Sequence, residues 1–276
     1  MDIVTSVRDL RERLQREPDN VFVPTMGNLH AGHIQLMRLA KHRAACTVVS
    51  IFVNRIQFGP KEDFERYPRT LQADAEMMKD VGVDVVFAPT EAEIYPEPQT
   101  FVLEPSDLQH ILEGAFRPGH FRGVATVVLK LFNMVAPHTA IFGKKDYQQY
   151  VVLRDMVKQL ALPVEIIPAE TVRAEDGLAL SSRNVYLSPA ERSEAPRLFQ
   201  TLWAVKAEVL AEKRDFQRLE LQAMATLAAN GWRPDYVSVR RQADLQPPGA
   251  EDHDLVVLGA AVLGRTRLID NVEVAL

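Results

Sequence analysis

His30 and His33 stand three residues apart in a stretch, 24–33, that also holds Gly27 and Gly32. Imidazole N–H groups can donate to phosphate oxygens as charge develops on a leaving group. Glycine lets backbone approach a ligand closely. The stretch follows the apolar run Val21, Phe22, Val23 and precedes 34–40, whose apolar positions recur at helical spacing. It is therefore read as a strand-to-helix turn. Helix N-termini carry unpaired N–H groups and a positive dipole end, which suits a phosphate. A lone loop histidine is usually a solvated or capping residue. Two at a helix start, beside two glycines, are less often idle. A zinc-protease reading fails, because no Glu separates the histidines and Cys46 is the one cysteine in the chain.

Four further stretches carry candidate chemistry. Asn54 and Gln57 follow the β-branched run 47–53, and loops beyond strand ends are where open α/β sheets bind ligands. Their amides can read a hydroxyl or carboxylate, although both residues are also common in loops for turn reasons. Residues 117–123 place Arg117, His120 and Arg122 before an apolar helix, where they hold an anion or pair with surface carboxylates. Gly143, Lys144, Lys145 and Asp146 repeat the logic of strand, glycine, cation and helix start, and a lysine there acts as a point charge on a phosphate. Leu180, Ser181, Ser182, Arg183 and Asn184 offer two hydroxyls and a guanidinium to a triphosphate, or form a hinge, or both.

The elements that position these residues follow from pattern. Ser6 starts a helix with Asp9 three residues on; Pro18 to Asn20 ends it. Strand 21–23, the histidine turn, a helix to about Ala45 and strand 47–53 make a β-turn-α-β unit, which implies a parallel sheet. Thr70 caps a helix that Gly82 ends, and Asp74 on it reads as a solvated face residue, with a role at a Mg²⁺-bound phosphate as the alternative. Strands are expected at 84–88, 100–103, 139–142, 164–167 and 171–173, with a short helix at 106–112 and an apolar helix at 124–132. Glu175, Asp176, Gly177 is a turn signal. Beyond it, helices from Ser188 to about Ala211 and from Phe216 to Asn230, with strands at 236–239, 255–263 and 267–269, suggest a smaller α+β unit. The expected division is a nucleotide-binding domain at 1–174 and a lid domain at 182–276, hinged at about 175–181.

Composition bounds the function. Net charge is −5 over 276 residues, and the pI of about 5.8 argues against nucleic acid as a partner. A single cysteine excludes an intrachain disulfide and fits a reducing compartment. The N-terminus lacks the basic start and apolar run of a signal peptide, and no apolar stretch reaches the roughly 18 residues of a membrane span.

Taken together, the motifs say more. The stretch 24–33 is similar to the histidine-glycine-histidine signature of the nucleotidyltransferase superfamily. Residues 52–58, 67–70, 119–123, 142–149 and 180–184 resemble, in order and spacing, the other motifs of the pantothenate synthetase (pantoate–β-alanine ligase) family. The resemblance covers nearly the whole chain. It implies a Rossmann-like parallel sheet with helices on both faces plus a smaller C-terminal α+β domain. It implies a cytoplasmic, homodimeric ligase using ATP and Mg²⁺ to join pantoate and β-alanine through a pantoyl adenylate, with AMP and pyrophosphate released. By matching positions, His33 is the catalytic histidine, His30 its companion on the phosphates and Lys145 a catalytic cation. Met26, Gly27, Asn28, Leu29, His30, Ala31, Gly32 and His33 form the ATP turn. Gly143, Lys144, Lys145, Asp146, Val172, Leu180, Ser181, Ser182 and Arg183 complete the nucleotide site. Asn54, Gln57 and Gln149 bind substrate. No metal ligand is assigned to the protein. Two departures stand out: Arg55 and Ile56 where the family usually has proline and methionine or leucine, and Lys144 where it usually has glutamate. The competing readings are a nucleotidyltransferase acting on a phosphorylated precursor, and a non-catalytic nucleotide sensor.

Overall fold

The computed structural model describes residues 1–17, 19–60 and 62–276. The helix stop expected at Pro18 lies outside them. Contacts divide the chain into two compact units, Met1–Gly143 with Val152–Ala169, and Lys144–Val151 with Glu170–Leu276.

The first unit runs β1 (Asp2–Val4), α1 (Val7–Leu14), β2 (Asn20–Thr25), α2 (Ala31–Lys41), β3 (Cys46–Ile51), α3 (Leu71–Val81), β4 (Val85–Phe87), α4 (Glu91–Ile94), α5 (Glu113–Phe116), α6 (His120–Val135), β5 (Thr139–Gly143), the later turns of α7 (Tyr147–Gln159) and β6 (Glu165–Ala169). Its six strands are parallel in the order β1-β4-β3-β2-β5-β6. Alternate side chains of each strand enter opposite cores, as a pleat requires. Phe22, Val48, Val85 and Phe142 pack with α1, α6 and α7 on one face. Val21, Val23, Val49, Val86 and Ile141 pack with α2 and α3 on the other. That is why these strands read as continuous apolar runs.

The sheet has a switch point in its strand order. From β2 the chain adds β3 and β4 on one side and β5 and β6 on the other, so order reverses between β2 and β5. Open α/β sheets bind ligands at the carboxyl ends of strands at such a switch point. The histidine turn leaves β2 there, and β5 ends there at Gly143.

The second unit contains α8 (Pro189–Glu194), α9 (Arg197–Leu210), α10 (Phe216–Ala229), β7 (Arg233–Arg241), β8 (Asp254–Leu263) and β9 (Thr266–Ala275). The strands form an antiparallel sheet in the order β7-β8-β9. Leu198, Leu202, Val205 and Leu227 of the helices pack on Val237, Leu255, Val257 and Val272 of the sheet. Ser188 and Glu191 close a capping box at the start of α8, with Pro189 inside it.

Element expectations differ from the structure at 120–123, where the stretch read as lying before the apolar helix is the first turn of α6, and at three other segments. Residues 100–103 form no strand; instead Leu103 N–H donates to Thr126 Oγ1 at 3.0 Å, tying the segment to α6. Residues 106–112 hold a 3₁₀ turn, Asp107–His110, rather than an α-helix. Residues 171–173 make a single antiparallel bridge, Arg173 to Ala179, around the Gly177 turn.

Candidate active site

The turn after β2 is built by its own side chains. Thr25 Oγ1 donates to Ser50 O at 2.7 Å and accepts Gly27 N–H at 3.2 Å. Gly27 at φ +82° and Asn28 at φ +52° then reverse the chain. His30 caps α2: its Nδ1 accepts Gly32 N–H at 3.1 Å, and His33 Nδ1 accepts His30 N–H at 3.2 Å. The rings lie 4.1 Å apart. Backbone N–H groups only donate, so Nδ1 of each neutral ring is an acceptor and its proton sits on Nε2. The cap thus holds both neutral rings in one tautomer, with the proton on Nε2.

The carboxylate of Asp74, in the first turn of α3, completes the turn. It accepts Asn28 N–H and Leu29 N–H, each at 2.9 Å, and Thr70 Oγ1–H at 3.0 Å. Asp74 is 1% exposed, which overturns its reading as a solvated face residue. Thr70 is at the N-cap position of α3 but spends its hydroxyl on Asp74 rather than on the cap. The sequence signal was the Thr70/Asp74 spacing of four, which puts both on one helix face. Periodicity did not tell that this face looks inward. The N–H groups of Gly27, Asn28, Leu29, His30 and Gly32 are all taken internally. These amides are therefore not open to a phosphate at this helix start.

Beyond β3, Asn54 and Gln57 bracket a 3₁₀ turn. Asn54 is buried; its amide donates to Gln57 Oε1 at 2.9 Å and Gly123 O at 3.2 Å, and its oxygen accepts Tyr95 O–H at 2.7 Å. Gln57 in turn donates Nε2–H to Met26 Sδ at 3.2 Å, joining this turn to the histidine turn. From below, His120 Nδ1 meets Gln57 O at 2.9 Å and its Nε2 meets Arg117 Nη1 at 3.0 Å. Arginine and carbonyl allow one assignment: Nδ1–H donates and Nε2 accepts, the opposite tautomer to His30 and His33. Burial, with Arg117 beside it, pushes the His120 pKa down to about 4. Arg117 is locked by Glu62 through two contacts, 2.8 and 2.6 Å. The basic stretch, helical from His120 on, is thus a support beneath Gln57. Arg55 turns its charge away, over the Phe64 ring at 4.1 Å and toward Glu65 and Glu91.

In the second unit, Asn271 donates to Lys144 O at 2.8 Å and Lys145 O at 3.0 Å, shaping the 3₁₀ turn Lys144–Asp146. Lys144 Nζ is held by Glu170 at 2.6 Å and Glu273 at 2.8 Å. Burial works against its charge, but the two carboxylates outweigh burial and raise its pKa. The reversed charge at this position is therefore neutralised locally. Lys145 Nζ lies 3.6 Å from Asp146 and is partly buried. Gln149 is half-buried in the first turn of α7. Ser181 Oγ accepts Arg183 N–H at 3.2 Å, capping the 3₁₀ turn Ser182–Tyr186 that carries Ser182 and Arg183. Val172 O accepts Leu180 N–H at 3.0 Å, and Arg173 forks onto Asp270 at 2.6 and 2.9 Å.

The chain is similar to known proteins over nearly its whole length. The family model described as Pantoate-beta-alanine ligase matches residues 2–273. A curated pantothenate synthetase from Nitrosospira multiformis is 56% identical over 274 residues, covering 99% of this chain and 98% of that protein. A crystal structure of pantothenate synthetase from Thermus thermophilus is 45% identical with a TM-score of 0.95, covering 100% of both chains. The pantoate-beta-alanine ligase of Francisella tularensis, solved with beta-gamma ATP and beta-alanine, is 33% identical with a TM-score of 0.81, covering 99% of this chain and 97% of that one.

Proposed function

The chain belongs to the pantoate–β-alanine ligase family, and from that premise we propose that it forms pantothenate in two steps at the histidine turn. In the first, a carboxylate oxygen of pantoate attacks the α-phosphorus of ATP. The bond from that phosphorus to the bridging oxygen breaks, and pyrophosphate leaves. In the second, the amine of β-alanine attacks the acyl carbon of pantoyl adenylate. The carbon–oxygen bond to the phosphate breaks, AMP leaves, and the amine loses a proton as the amide forms. The adenylate converts a poor leaving group into a good one, so positioning and charge stabilisation remain the protein's tasks.

In this reading His33 and His30 donate Nε2–H to the phosphate oxygens on which charge grows. Lys145 supplies a fixed positive charge, and Ser181, Ser182 and Arg183 bind phosphates. Gly143, Lys144, Asp146, Val172 and Leu180 line the nucleotide. Gln57 and Gln149 bind pantoate, with Asn54 holding the Gln57 oxygen so that its NH₂ is aimed. ATP enters as its Mg²⁺ complex. Among the described residues no group of three His, Cys, Asp or Glu side chains could cage a metal. Magnesium is commonly held largely by substrate phosphates and water. A homodimer in the cytoplasm completes the reading; no described helix is long and apolar enough to cross a membrane.

The observation that carries the reading is the pair of imidazoles pinned by backbone N–H donors in one tautomer at the switch point of the sheet. The test is AMP and pantothenate formation from MgATP with pantoate and β-alanine together and each omitted. AMP in step with pantothenate, requiring both, is expected. A stable nucleotidylated product with no amine requirement overturns it. His33→Asn keeps an acceptor for His30 N–H but removes the Nε2 donor. It is expected to leave the melting temperature nearly unchanged while pantoate-dependent ATP–pyrophosphate exchange falls about 10²- to 10³-fold; near-wild-type exchange removes His33 from the chemistry.

A further inference from the structure

Gly27 and Asn28 are consecutive residues in the left-handed region, at φ +82° and +52°. A turn of this kind aims successive N–H groups into one concavity, an arrangement that binds anions. Here the anion is the chain's own. The Asp74 carboxylate takes Asn28 N–H on one oxygen and Leu29 N–H on the other. Thr70 adds a third donor. A buried carboxylate is tolerated only when hydrogen-bonded this fully. The fit is close, since a Cβ on Gly27 would stand 3.0 Å from Asp74 Oδ2 and 3.1 Å from Ile51. The next residues along the chain are the cap of α2, His30 to His33, and Met26 on the other side touches Gln57.

We propose that Asp74 is a positioning residue for the ligase reaction: by filling the backbone concavity at 27–29 it fixes the direction in which Met26 leaves the turn and His30 and His33 enter α2. This rests on the reading of the site given above and deepens it. Asp74 touches backbone, so it acts through the histidines and Gln57. It also keeps that concavity from taking a phosphate of ATP, which leaves the phosphates to side chains.

Asp74→Asn keeps the size of the side chain but turns an NH₂ toward one of the two backbone donors. Thr70→Val removes the third hydrogen bond and keeps the other two. Three quantities are read on each variant: amide hydrogen exchange at Asn28 and Leu29, kcat for pantoate-dependent ATP–pyrophosphate exchange per folded enzyme, and KM for β-alanine in the full reaction. In Asp74→Asn, exchange at both amides is expected to quicken. Its kcat is expected to fall about ten- to a hundredfold, as for a small misplacement of catalytic groups, while KM for β-alanine stays within about twofold. Thr70→Val is expected to lose about threefold in kcat by the same route. A lower melting temperature with wild-type kcat per folded enzyme makes Asp74 merely structural and overturns the proposal. If Asp74→Asn does not fold, Thr70→Val decides: unchanged kcat and unchanged protection overturn it. Absence of pantoate-dependent exchange in the unaltered protein defeats the ligase reading instead. In that case protection of Asn28 and Leu29 still decides whether Asp74 holds the turn.

Discussion

His30, His33 and His120 hold opposite tautomers, and in each the neighbours dictate which. Backbone N–H donors at Nδ1 leave His30 and His33 with the proton on Nε2. A carbonyl at Nδ1 and a guanidinium at Nε2 give His120 the reverse and keep it neutral. That neutrality has a pH signature. His120 titrates at about 4 in the fold against an ordinary value of 6.5. Between those values the unfolded chain binds more protons, so stability rises with pH through this window, is complete above about 6.5, and is lost as pH falls toward 4. The shift corresponds to roughly 3 kcal/mol. His120→Gln is expected to flatten the fall in melting temperature between pH 6.5 and 4, relative to its own value at pH 7.5. An unchanged slope would show that His120 does not carry it. Because Gln57 O rests on His120, the same variant should also raise KM for pantoate.

Helix α6 acts as the floor of the Gln57 turn, and the contact is backbone on backbone. A Cβ on Gly123 would lie 2.5 Å from Ile56 O and 2.6 Å from Gln57 Cα, neither of which can swing aside as a side chain does. Gly123→Ala must therefore push the turn Arg55–Gln57 away from α6. Overpacking of this kind costs about 1–3 kcal/mol. The expected outcome is a lower melting temperature with KM for pantoate raised more than KM for ATP. Equal effects on both would mean that the turn does not report on pantoate alone. Strand β2 and helix α2 show how an element serves the site: the strand ends at the switch point, and the helix is capped by the residues it delivers. Both were legible in sequence, because a β-branched run, a glycine turn and helical spacing are local patterns. The segments 100–103 and 171–173 were not, since β-propensity there meets no partner strand beyond one bridge.

Across the whole molecule, ligand binding should be visible as stability. A ligand that binds only the folded state adds about 2.7 kcal/mol at a hundred times its Kd. MgATP is therefore expected to raise the melting temperature. Pantoate added with it should raise it further as pantoyl adenylate accumulates, and β-alanine should remove that increment as AMP departs. No added increment from pantoate would argue against a retained adenylate.

The sequence by itself determined the parallel α/β sheet, the histidine turn, the order of the motifs and the family, because alternation, helical spacing and short motifs are written along the chain. Tertiary structure decided what each polar side chain faces. It turned Asp74 inward onto backbone amides, made the basic stretch a prop for Gln57, and paired the unusual charges of Arg55 and Lys144 with Glu65, Glu91, Glu170 and Glu273. Those partners lie between 10 and 129 residues away along the chain. No local pattern encodes a contact at that separation; it exists only once the strands have set the register between distant segments.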